Sequence, residues 1–321
     1  MRAAPNVTEI NEPSGIAAPG TVDAVVVSFN TRDYLVRCLA ELPSGRVIVV
    51  DSASTDGSVA LVREQFPDAE LVALQINRGF GAAANKGFEH VRGRYALLLN
   101  ADAWPQPGAL QRLLSAAERA PRSAILAPRL LNEDGSPQRS VFGYPTNAVS
   151  LASWMLAPGL VTGVFRRWQA LQGLIRSRKR GELQAIKGND FPAGAALLIR
   201  MTAFEEVGRF DEAFFMYSEE TDLCQRLRRA GWEISFAPDA TFVHVGAAST
   251  SQAPEANEGE QVRSYIRFLA KHNGTADAKR AHALLLWAFR LRAVSLRGGA
   301  RERARRNATR LASTDLETLL S

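Results

Sequence analysis

Asn100 and Asp102 lie directly after an apolar run, and their side-chain oxygens are donors of the kind that hard divalent cations prefer. Residues 95–99 are all apolar, which predicts a short buried strand, and residues 103–105 are expected to stop it. In an open α/β sheet, a carboxylate at the carboxyl end of a strand lies in the crevice where ligands bind. The same spacing also fits an Asx-turn without a ligand, so the rest of the chain must decide between a Mg²⁺ or Mn²⁺ site and a plain turn.

Polar residues also follow the three strands predicted before this one, at 22–28, 46–50 and 71–74. Helical segments separate these strands, and strand–helix alternation at this spacing predicts βαβ units and a parallel sheet. Because the carboxyl ends of parallel strands meet at one edge, the polar loops are expected to converge there. A nucleotide site has this architecture.

Three acids, Glu219, Glu220 and Asp222, open a predicted helix later in the chain. Acids in a first helical turn often do no more than complement the helix dipole. Gly194 lies in another predicted buried strand, where it allows close approach to the backbone. His244 follows an apolar run, where a lone histidine is usually a packed one. None of these residues indicates a function by itself.

The composition is that of a globular protein with a positive charge. The 321 residues are 46% hydrophobic and 22% charged, which leaves room for roughly one large or two ordinary domains. A net charge of +6 and a sequence pI of about 9.7 favour a phosphate-rich partner, either nucleic acid, an anionic membrane or a nucleotide. Two cysteines without a signal peptide exclude a disulfide framework and indicate a reducing, cytoplasmic compartment.

The pattern divides the chain into three parts. Residues 1–21 lack periodicity and are expected to form a flexible arm, and residues 22–255 carry the strand–helix alternation. Within the second part, residues 140–185 form an insertion that begins uncharged and ends rich in arginine. Glycines and prolines break its apolar stretch too often for a spanning helix. We interpret it as an interfacial flap or acceptor lid, with a plain hydrophobic insertion as the alternative.

Residues 256–321 are predicted to form a basic helical tail. Leu284, Trp287, Leu291 and Val294 recur at helical spacing with arginines around them. The apolar run is too short to cross a bilayer, and a basic amphipathic helix is typical of a membrane-surface element. Because the basic residues lie beside apolar stretches, we expect an anionic lipid surface as the partner, and no nucleic acid.

Six motifs in the order expected resemble the rhamnosyltransferase-type members of the large inverting glycosyltransferase family that uses the A-type fold. The resemblance covers about residues 22–250. Each motif is weak alone, and the six in order are specific. They are Val26-Val27-Ser28-Phe29-Asn30, the segment 50–57 from Val50 to Gly57, Asn77-Arg78-Gly79-Phe80-Gly81, Leu98-Leu99-Asn100-Ala101-Asp102, the segment 215–224 around Glu219-Glu220-Thr221-Asp222, and His244-Val245-Gly246.

This resemblance implies an α/β nucleotide-sugar-binding (A-type glycosyltransferase) fold with a mostly parallel central sheet, here followed by a C-terminal helical extension. It implies an inverting glycosyltransferase that moves a sugar, by preference rhamnose, from a nucleoside-diphosphate sugar to a glycan or lipid-linked acceptor. Mg²⁺ or Mn²⁺ would assist the reaction. The expected location is the inner face of the cytoplasmic membrane, with the enzyme peripherally attached.

The matching positions imply roles for individual residues. Glu220 falls where the family has its catalytic base, and Glu219 could share that role because Glu220 stands in place of the usual Asp. Asp102 and His244 would bind the metal, and Gly194 and Asp222 would lie on the acceptor side. The donor-binding positions are Ser28, Asn30, Asp51, Asp56, Asn77, Lys86, Asn100 and Asp102.

Two departures and two rival functions remain. Asn100 replaces the first Asp of the family's metal motif, which leaves Asp102 as its only anionic ligand, and Ala103 replaces a common hydroxyl residue. A sugar nucleotidyltransferase would need a glycine-rich basic loop after the first strand, and Ser28-Phe29-Asn30 is not one. A catalytically inactive relative that only binds the sugar nucleotide is the other alternative.

Overall fold

The computed structural model describes residues 22–43, 45–144, 183–246, 254–314 and 316. The predicted arm at 1–21 and most of the predicted insertion at 140–185 lie outside these ranges.

The described chain alternates strands and helices up to β4 and ends in three consecutive helices. The strands are β1 (Val22–Ser28), β2 (Val47–Asp51), β3 (Glu70–Ala73), β4 (Tyr95–Asn100), β5 (Ala103–Pro105), β6 (Ser123–Leu131), β7 (Val141–Gly143), β8 (Gln184–Ala185), β9 (Asp190–Pro192), β10 (Ala196–Arg200) and β11 (Glu233–His244). The helices are α1 (Arg32–Glu41), α2 (Ser58–Gln65), α3 (Phe80–Phe88), α4 (Ala109–Arg119), α5 (Met201–Glu206), α6 (Glu219–Arg229), α7 (Pro254–Asn273), α8 (Thr275–Ser295) and α9 (Gly298–Ala312).

The central sheet is mostly parallel, as predicted. Its strand order is β3-β2-β1-β4-β10-β6-β11-β5, with β8 paired to β11. The first four strands of that order are parallel, and β6 pairs in parallel with β11. The strands β10, β5 and β8 run antiparallel to their neighbours. The predicted α/β fold class is therefore confirmed.

Helices cover both faces of this sheet because its strands are apolar on both sides. On one face, side chains of α1, α2 and α4 pack against residues such as Val26 and Leu97. On the other, α3, α5 and α6 pack against their neighbours Val25 and Leu98. The small residues of α3 let it lie close to the sheet, since a Cβ at Gly87 would be 2.4 Å from Val25 Cγ1.

Two elements differ from the sequence prediction. Residues 103–105 do not only end the preceding strand, because they form β5, which pairs antiparallel with the end of β11. The apolar run before His244 is not a separate segment, because it is the end of a long strand, β11, that continues through a break in register between Ala237 and Thr241. Both differences come from pairing with distant strands, which local pattern does not report.

The three C-terminal helices have a hydrophobic cluster of their own. Its buried members include Ile266 and Leu269 of α7 and Leu285 and Phe289 of α8. Leu284, predicted to belong to the membrane-surface stripe of the tail, is partly buried against this cluster. Among the described residues, no helix combines the length and the apolarity needed to cross a bilayer.

Candidate active site

Asp51 ends β2 at the carboxyl-terminal edge of the sheet. The strand register places it beside Ser28 of β1 and Ala73 of β3. Asp51 is 1% exposed, and its Oδ1 accepts a hydrogen bond from the backbone N–H of Ser54 at 2.8 Å. Its buried Oδ2 has no hydrogen-bond partner within the described residues. Because an unpaired buried oxygen is costly, Asp51 is suited to accept a hydrogen bond from a ligand.

The loops after β1 and β2 brace each other around that carboxylate. Asn30 has a left-handed φ of 50°. Its backbone N–H donates to Ser54 Oγ and its Oδ1 accepts from the Thr55 N–H, both at 2.8 Å. The carboxylate of Asp56 accepts from the first backbone N–H of α1 at 2.8 Å and from that of α2 at 3.0 Å. Asp56 therefore holds the two helix starts, while Asn30 joins the two loops.

The loop after β3 is pressed against the loop before α6. Asn77 Oδ1 accepts a hydrogen bond from the Gly79 N–H at 2.9 Å. Gly79 has a φ of 97°, and a Cβ there would lie 1.9 Å from the carbonyl oxygen of Phe215. That carbonyl accepts from the Phe80 N–H at 3.0 Å. Only glycine fits this contact, which brings Asn77 close to the loop that leads into α6.

The structure does not bring Lys86 to this edge of the sheet. Lys86 lies in the last turn of α3, and a helix that follows a parallel strand runs back toward the opposite edge. Its Nζ is 2.8 Å from Glu89 Oε1, and both side chains are 46% exposed. The ammonium group thus forms a surface pair away from the other candidate donor residues.

Asp102 and His244 meet because β5 pairs with β11. Ala103 is the register partner of His244, and the Val245 N–H donates to the carbonyl oxygen of Asp102 at 3.0 Å. Asp102 is 6% exposed, and its Oδ1 is 3.5 Å from His244 Nε2. The structure therefore brings the two predicted metal ligands together across 142 residues of sequence (244 − 102).

Gln138 fixes the ring of His244. Its Nε2 donates to Asn132 Oδ1 and to the His244 carbonyl oxygen, both at 3.0 Å. Because both amide hydrogens are used, Gln138 Oε1 is the acceptor for the His244 Nδ1–H at 2.7 Å. In the neutral ring this assignment leaves Nε2 unprotonated beside Asp102, as metal-binding histidines require. No sequence motif marks Gln138.

Asp102 and His244 could together hold a divalent cation. Two ligands about 2.1 Å from one ion lie roughly 3 Å or more apart, and their 3.5 Å separation suits that arrangement. Within the described part of the chain, no three or more His, Cys, Asp or Glu side chains form a metal-binding group. Two protein donors suffice where substrate phosphates complete the coordination of Mg²⁺.

A short path of contacts joins Asn100 to Glu220. The Asn100 N–H donates to the carbonyl oxygen of Ala195 at 3.0 Å. The preceding residue is Gly194, where a Cβ would lie 3.6 Å from Glu220 Oε1. The structure thus brings together a residue predicted on the donor side, one on the acceptor side and the predicted base. The missing side chain at 194 leaves space in front of the Glu220 carboxylate.

Glu219 and Glu220 face different neighbours. Glu219 is 5% exposed and lies against α3, where a Cβ at Gly81 would be 3.6 Å from Glu219 Cβ. Each glutamate has a buried Oε2 with no hydrogen-bond partner among the described residues. Burial raises the pKa of Glu220 to about 7. Burial, and then the charge of Glu220, raise the pKa of Glu219 well above its usual value. With a pKa near neutrality, the Glu220 carboxyl is therefore suited to exchange a proton there.

The loop before α6 has two residues in a backbone conformation that is rare outside glycine. Tyr217 has a φ of 66° and Ser218 one of 69°. Tyr144 Oη and Ser218 Oγ are hydrogen-bonded at 2.8 Å, and Ser264 Oγ of α7 donates to the Met216 carbonyl at 2.7 Å. These contacts hold the loop that positions Glu220. The sequence carries no signal for them because the partners lie far apart along the chain.

Asp222 joins α6 to the C-terminal helices. Its side chain is fully buried; one oxygen is 2.7 Å from Arg226 Nε, and the other is 2.8 Å from both Lys271 Nζ and His272 Nε2. Burial raises the pKa of Asp222, but the hydrogen bond from His272 and the charge of Arg226 outweigh it and lower the pKa to about 2. Both oxygens are engaged, so the structure does not offer Asp222 to an acceptor.

A mostly parallel sheet with ligand-binding loops along its carboxyl-terminal edge is the architecture of the A-type glycosyltransferases. The family model described as "Glycosyl transferase family 2" matches residues 23–208, more than half of the chain. A second, described as "Glycosyl transferase family group 2", matches residues 149–296. The chain belongs to glycosyl transferase family 2, and it is a glycosyltransferase, as the motifs predicted.

A curated relative carries a more specific name. The chain is 29% identical over 269 residues to the N-acetylglucosaminyl-diphospho-decaprenol L-rhamnosyltransferase of Mycobacterium tuberculosis, which covers 78% of this chain and 84% of the relative. The predicted resemblance to rhamnosyltransferase-type members is thereby confirmed.

Two solved structures share the fold. A mannosyltransferase from Pyrobaculum calidifontis, solved with GDP-Man and Mn²⁺, has a TM-score of 0.51 at 17% identity, over 97% of this chain and 87% of that one. GalNAc-T7, solved with UDP, GalNAc and Mn²⁺, has a TM-score of 0.54 at 14% identity, over 94% of this chain and 56% of that one. At these identities the likeness extends to the fold alone.

Proposed function

We propose that this glycosyltransferase transfers a sugar with inversion from a nucleoside-diphosphate sugar to a glycan or lipid-linked acceptor, with a divalent cation and a glutamate base. One observation carries the proposal: the buried carboxylate of Glu220, with its pKa raised to about 7, faces the open backbone at Gly194. Gly194 in turn adjoins the residue that bonds Asn100 at the donor edge. The residue proposed as the base thus lies next to the edge of the sheet that is proposed to bind the donor.

The donor would be held by the loops at the ends of the first four strands. Asp51, with its unpartnered Oδ2, is suited to accept a hydrogen bond from the base or ribose, and Ser28 and Asn30 line the same edge. Asn77 would lie on the phosphate and sugar side. Asp102 and His244 would hold Mg²⁺ or Mn²⁺, which supplies positive charge to the departing nucleoside diphosphate.

Glu220 would act on the acceptor. A sugar hydroxyl has a high pKa, so its attack needs a carboxylate within hydrogen-bond reach to take the proton. The space at Gly194 admits the hydroxyl beside Glu220 Oε1. Attack from the face opposite the leaving diphosphate inverts the anomeric carbon. Burial and the charge of Glu220 raise the pKa of Glu219, which would make Glu219 less suited than Glu220 to act as the base.

Within this class of reaction, a rhamnose donor and a lipid-diphosphate acceptor are the favoured substrates. The Mycobacterium tuberculosis relative is named for both, and the match extends over most of the two chains. The insertion at 140–185 would serve as an acceptor flap. In this division, residues 22–255 form the catalytic domain and residues 256–321 the helical extension.

The exposed face of α8 supports peripheral attachment to an anionic membrane. Trp287, Leu291 and Val294 are 58%, 48% and 78% exposed at helical spacing. Arg290 and Arg297 are exposed beside them. Each basic group near an anionic surface contributes about 1 kcal/mol. A lipid-linked acceptor on the cytoplasmic face would then be within reach.

The test is a panel of nucleotide sugars incubated with the purified protein and Mg²⁺ or Mn²⁺, scored by released nucleoside diphosphate and by thermal shift. We expect one donor, by preference a rhamnose donor, to be hydrolysed slowly without an acceptor and faster with a glycosyl diphosphate lipid. Binding of a donor with no release under any condition would instead indicate a catalytically inactive relative.

A further inference from the structure

A cavity of about 320 Å³ lies between the loop before α6 and the face of α7. This volume is within the usual range for small-molecule sites. Its lining combines two guanidinium groups, a carboxylate, a hydroxyl and an aromatic ring. The lining residues are Ala213, Phe215, Glu260, Arg263, Ser264 and Arg267.

The cavity adjoins both halves of the candidate active site. Phe215 lies five residues before Glu220 in sequence, and its carbonyl bonds the Phe80 N–H at 3.0 Å, directly after the donor-side glycine at 79. Ser264 bonds the Met216 carbonyl at 2.7 Å, so the cavity shares a wall with the loop that leads into α6. A ligand here is adjacent to the base loop and separate from the Asp51 and Asp102 loops assigned to the donor.

The positive charge in this cavity comes from one face of α7. Arg263, Arg267 and Lys271 are spaced four residues apart, which places them in a row. Lys271 is paired with Asp211 and Asp222. Arg267 donates to the carbonyl oxygen of Ala213. Arg263 lies farthest along the row with 54% of its side chain exposed, and its contact with Glu260 is a long one at 3.4 Å.

We propose that this cavity binds the diphosphate of a glycosyl diphosphate lipid acceptor, an inference that rests on the function proposed above. Two arginines one turn apart present the planar forks that suit paired phosphate groups. The Phe215 ring offers an apolar face to the adjoining sugar, and the Glu260 carboxylate can accept hydrogen bonds from its hydroxyls. The acceptor sugar would then extend past Met216 toward Glu220. The donor diphosphate has its own site at Asp102 and His244.

The experiment measures binding to the full-length protein without donor. The probe is N-acetylglucosaminyl farnesyl diphosphate in detergent, and octyl N-acetylglucosaminide is the phosphate-free control. Arg263→Gln is the main variant because the Arg263 side chain is half exposed and its contact with Glu260 is long, so its loss is expected to spare the fold. Arg119→Gln, an exposed arginine at the end of α4 on the other face of the sheet, is the matched control.

We expect Arg263→Gln to raise the Kd of the diphosphate probe roughly ten- to hundredfold, as loss of a charge-assisted contact does. Arg263→Lys should restore part of the affinity, and the glycoside control and the donor Kd should not change. An unchanged Kd for the diphosphate probe, an equal loss for the glycoside, or an equal effect of Arg119→Gln overturns the assignment. If the probe binds with this arginine dependence but the enzyme transfers no sugar to it, the cavity assignment stands and the proposed function fails.

Discussion

Replacing Glu220 by glutamine is expected to remove most of the transfer activity while donor binding survives. The change keeps the shape of the side chain and removes its capacity to take a proton. Loss of a general base typically lowers the rate by ~10²–10⁴. Because the carboxylate faces Gly194 and not the donor-side Asp51, the donor Kd measured by calorimetry should stay within a few-fold. The rate is followed as released nucleoside diphosphate with saturating acceptor.

The pH dependence of the rate tests independently whether Glu220 is the general base. A general base works in its ionised form, and burial raises the pKa of Glu220 to about 7. The ionised fraction is then about one tenth at pH 6 and about nine tenths at pH 8. The acceptor kcat/KM should therefore rise about tenfold between these pH values and level off above them. A profile that is flat or falls over this interval would refute the reasoning.

Glu219→Gln is the matched control, one residue away on the same helix. Burial and the charge of Glu220 raise the pKa of the Glu219 carboxyl well above its usual value, which disfavours the ionised form that a base requires. Glutamine also presents a donor and an acceptor, so this variant should retain activity within several-fold and show the same rise between pH 6 and 8. If Glu219→Gln is the inactive enzyme and Glu220→Gln the active one, the assignment is wrong.

Four further outcomes are expected. Chelation should abolish turnover and Mg²⁺ or Mn²⁺ restore it, and Asp102→Ala should fold normally but show no metal-stimulated release. Gln138→Leu should weaken Mn²⁺ binding ~10–100-fold, measured by calorimetry, because the His244 ring then loses the hydrogen bond that orients it. Asp222→Asn should lower the free energy of unfolding in urea by about 3 kcal/mol, since it removes the charge of the buried carboxylate that pairs with Arg226 and Lys271. With its folded pKa near 2, below the ordinary 3.8, the wild-type stabilisation is complete above about pH 4 and is lost as pH falls toward 2. Trp287→Gln and Leu291→Gln should each weaken sedimentation with anionic liposomes about tenfold, through lost apolar burial.

Most of the fold was predictable from the sequence because local apolar runs mark the strands. The apolar run at 95–99 is the core of β4, and the polar residues after each parallel strand lie at one edge as expected. The role of residues 103–105 was not predictable, because it depends on pairing with β11 far along the chain. The break inside β11 hid its continuity for the same reason.

The candidate site was predictable where a strand end fixes it and not where a distant contact does. The positions of Asp51 and Asp102 follow from strand ends, whereas Glu220 was selected by the family resemblance and not by the helix start. No local sequence pattern marks Gln138 or Tyr144, because each acts through a hydrogen-bond partner at least 74 residues away. For Lys86 the sequence prediction was wrong. Lys86 lies close in sequence to the predicted donor loop, but it is in the last turn of α3, which runs toward the opposite edge of the sheet.

The C-terminal helices contribute to the candidate active site, so they are not a detachable anchor. Through α7 they supply Ser264 to the loop before α6 and His272 to Asp222. The apolar side of α7, including Ile266, packs against α8, which carries the exposed Trp287. A chain shortened to remove α8 and α9 would uncover that side of α7 and is expected to lose transfer and liposome binding together.

Substitution of Trp287 changes only an exposed side chain, so it should lower membrane binding while donor hydrolysis in detergent stays unchanged. An equal loss of liposome binding and donor hydrolysis in that variant would contradict the assignment of membrane binding to α8 and of active-site contacts to α7.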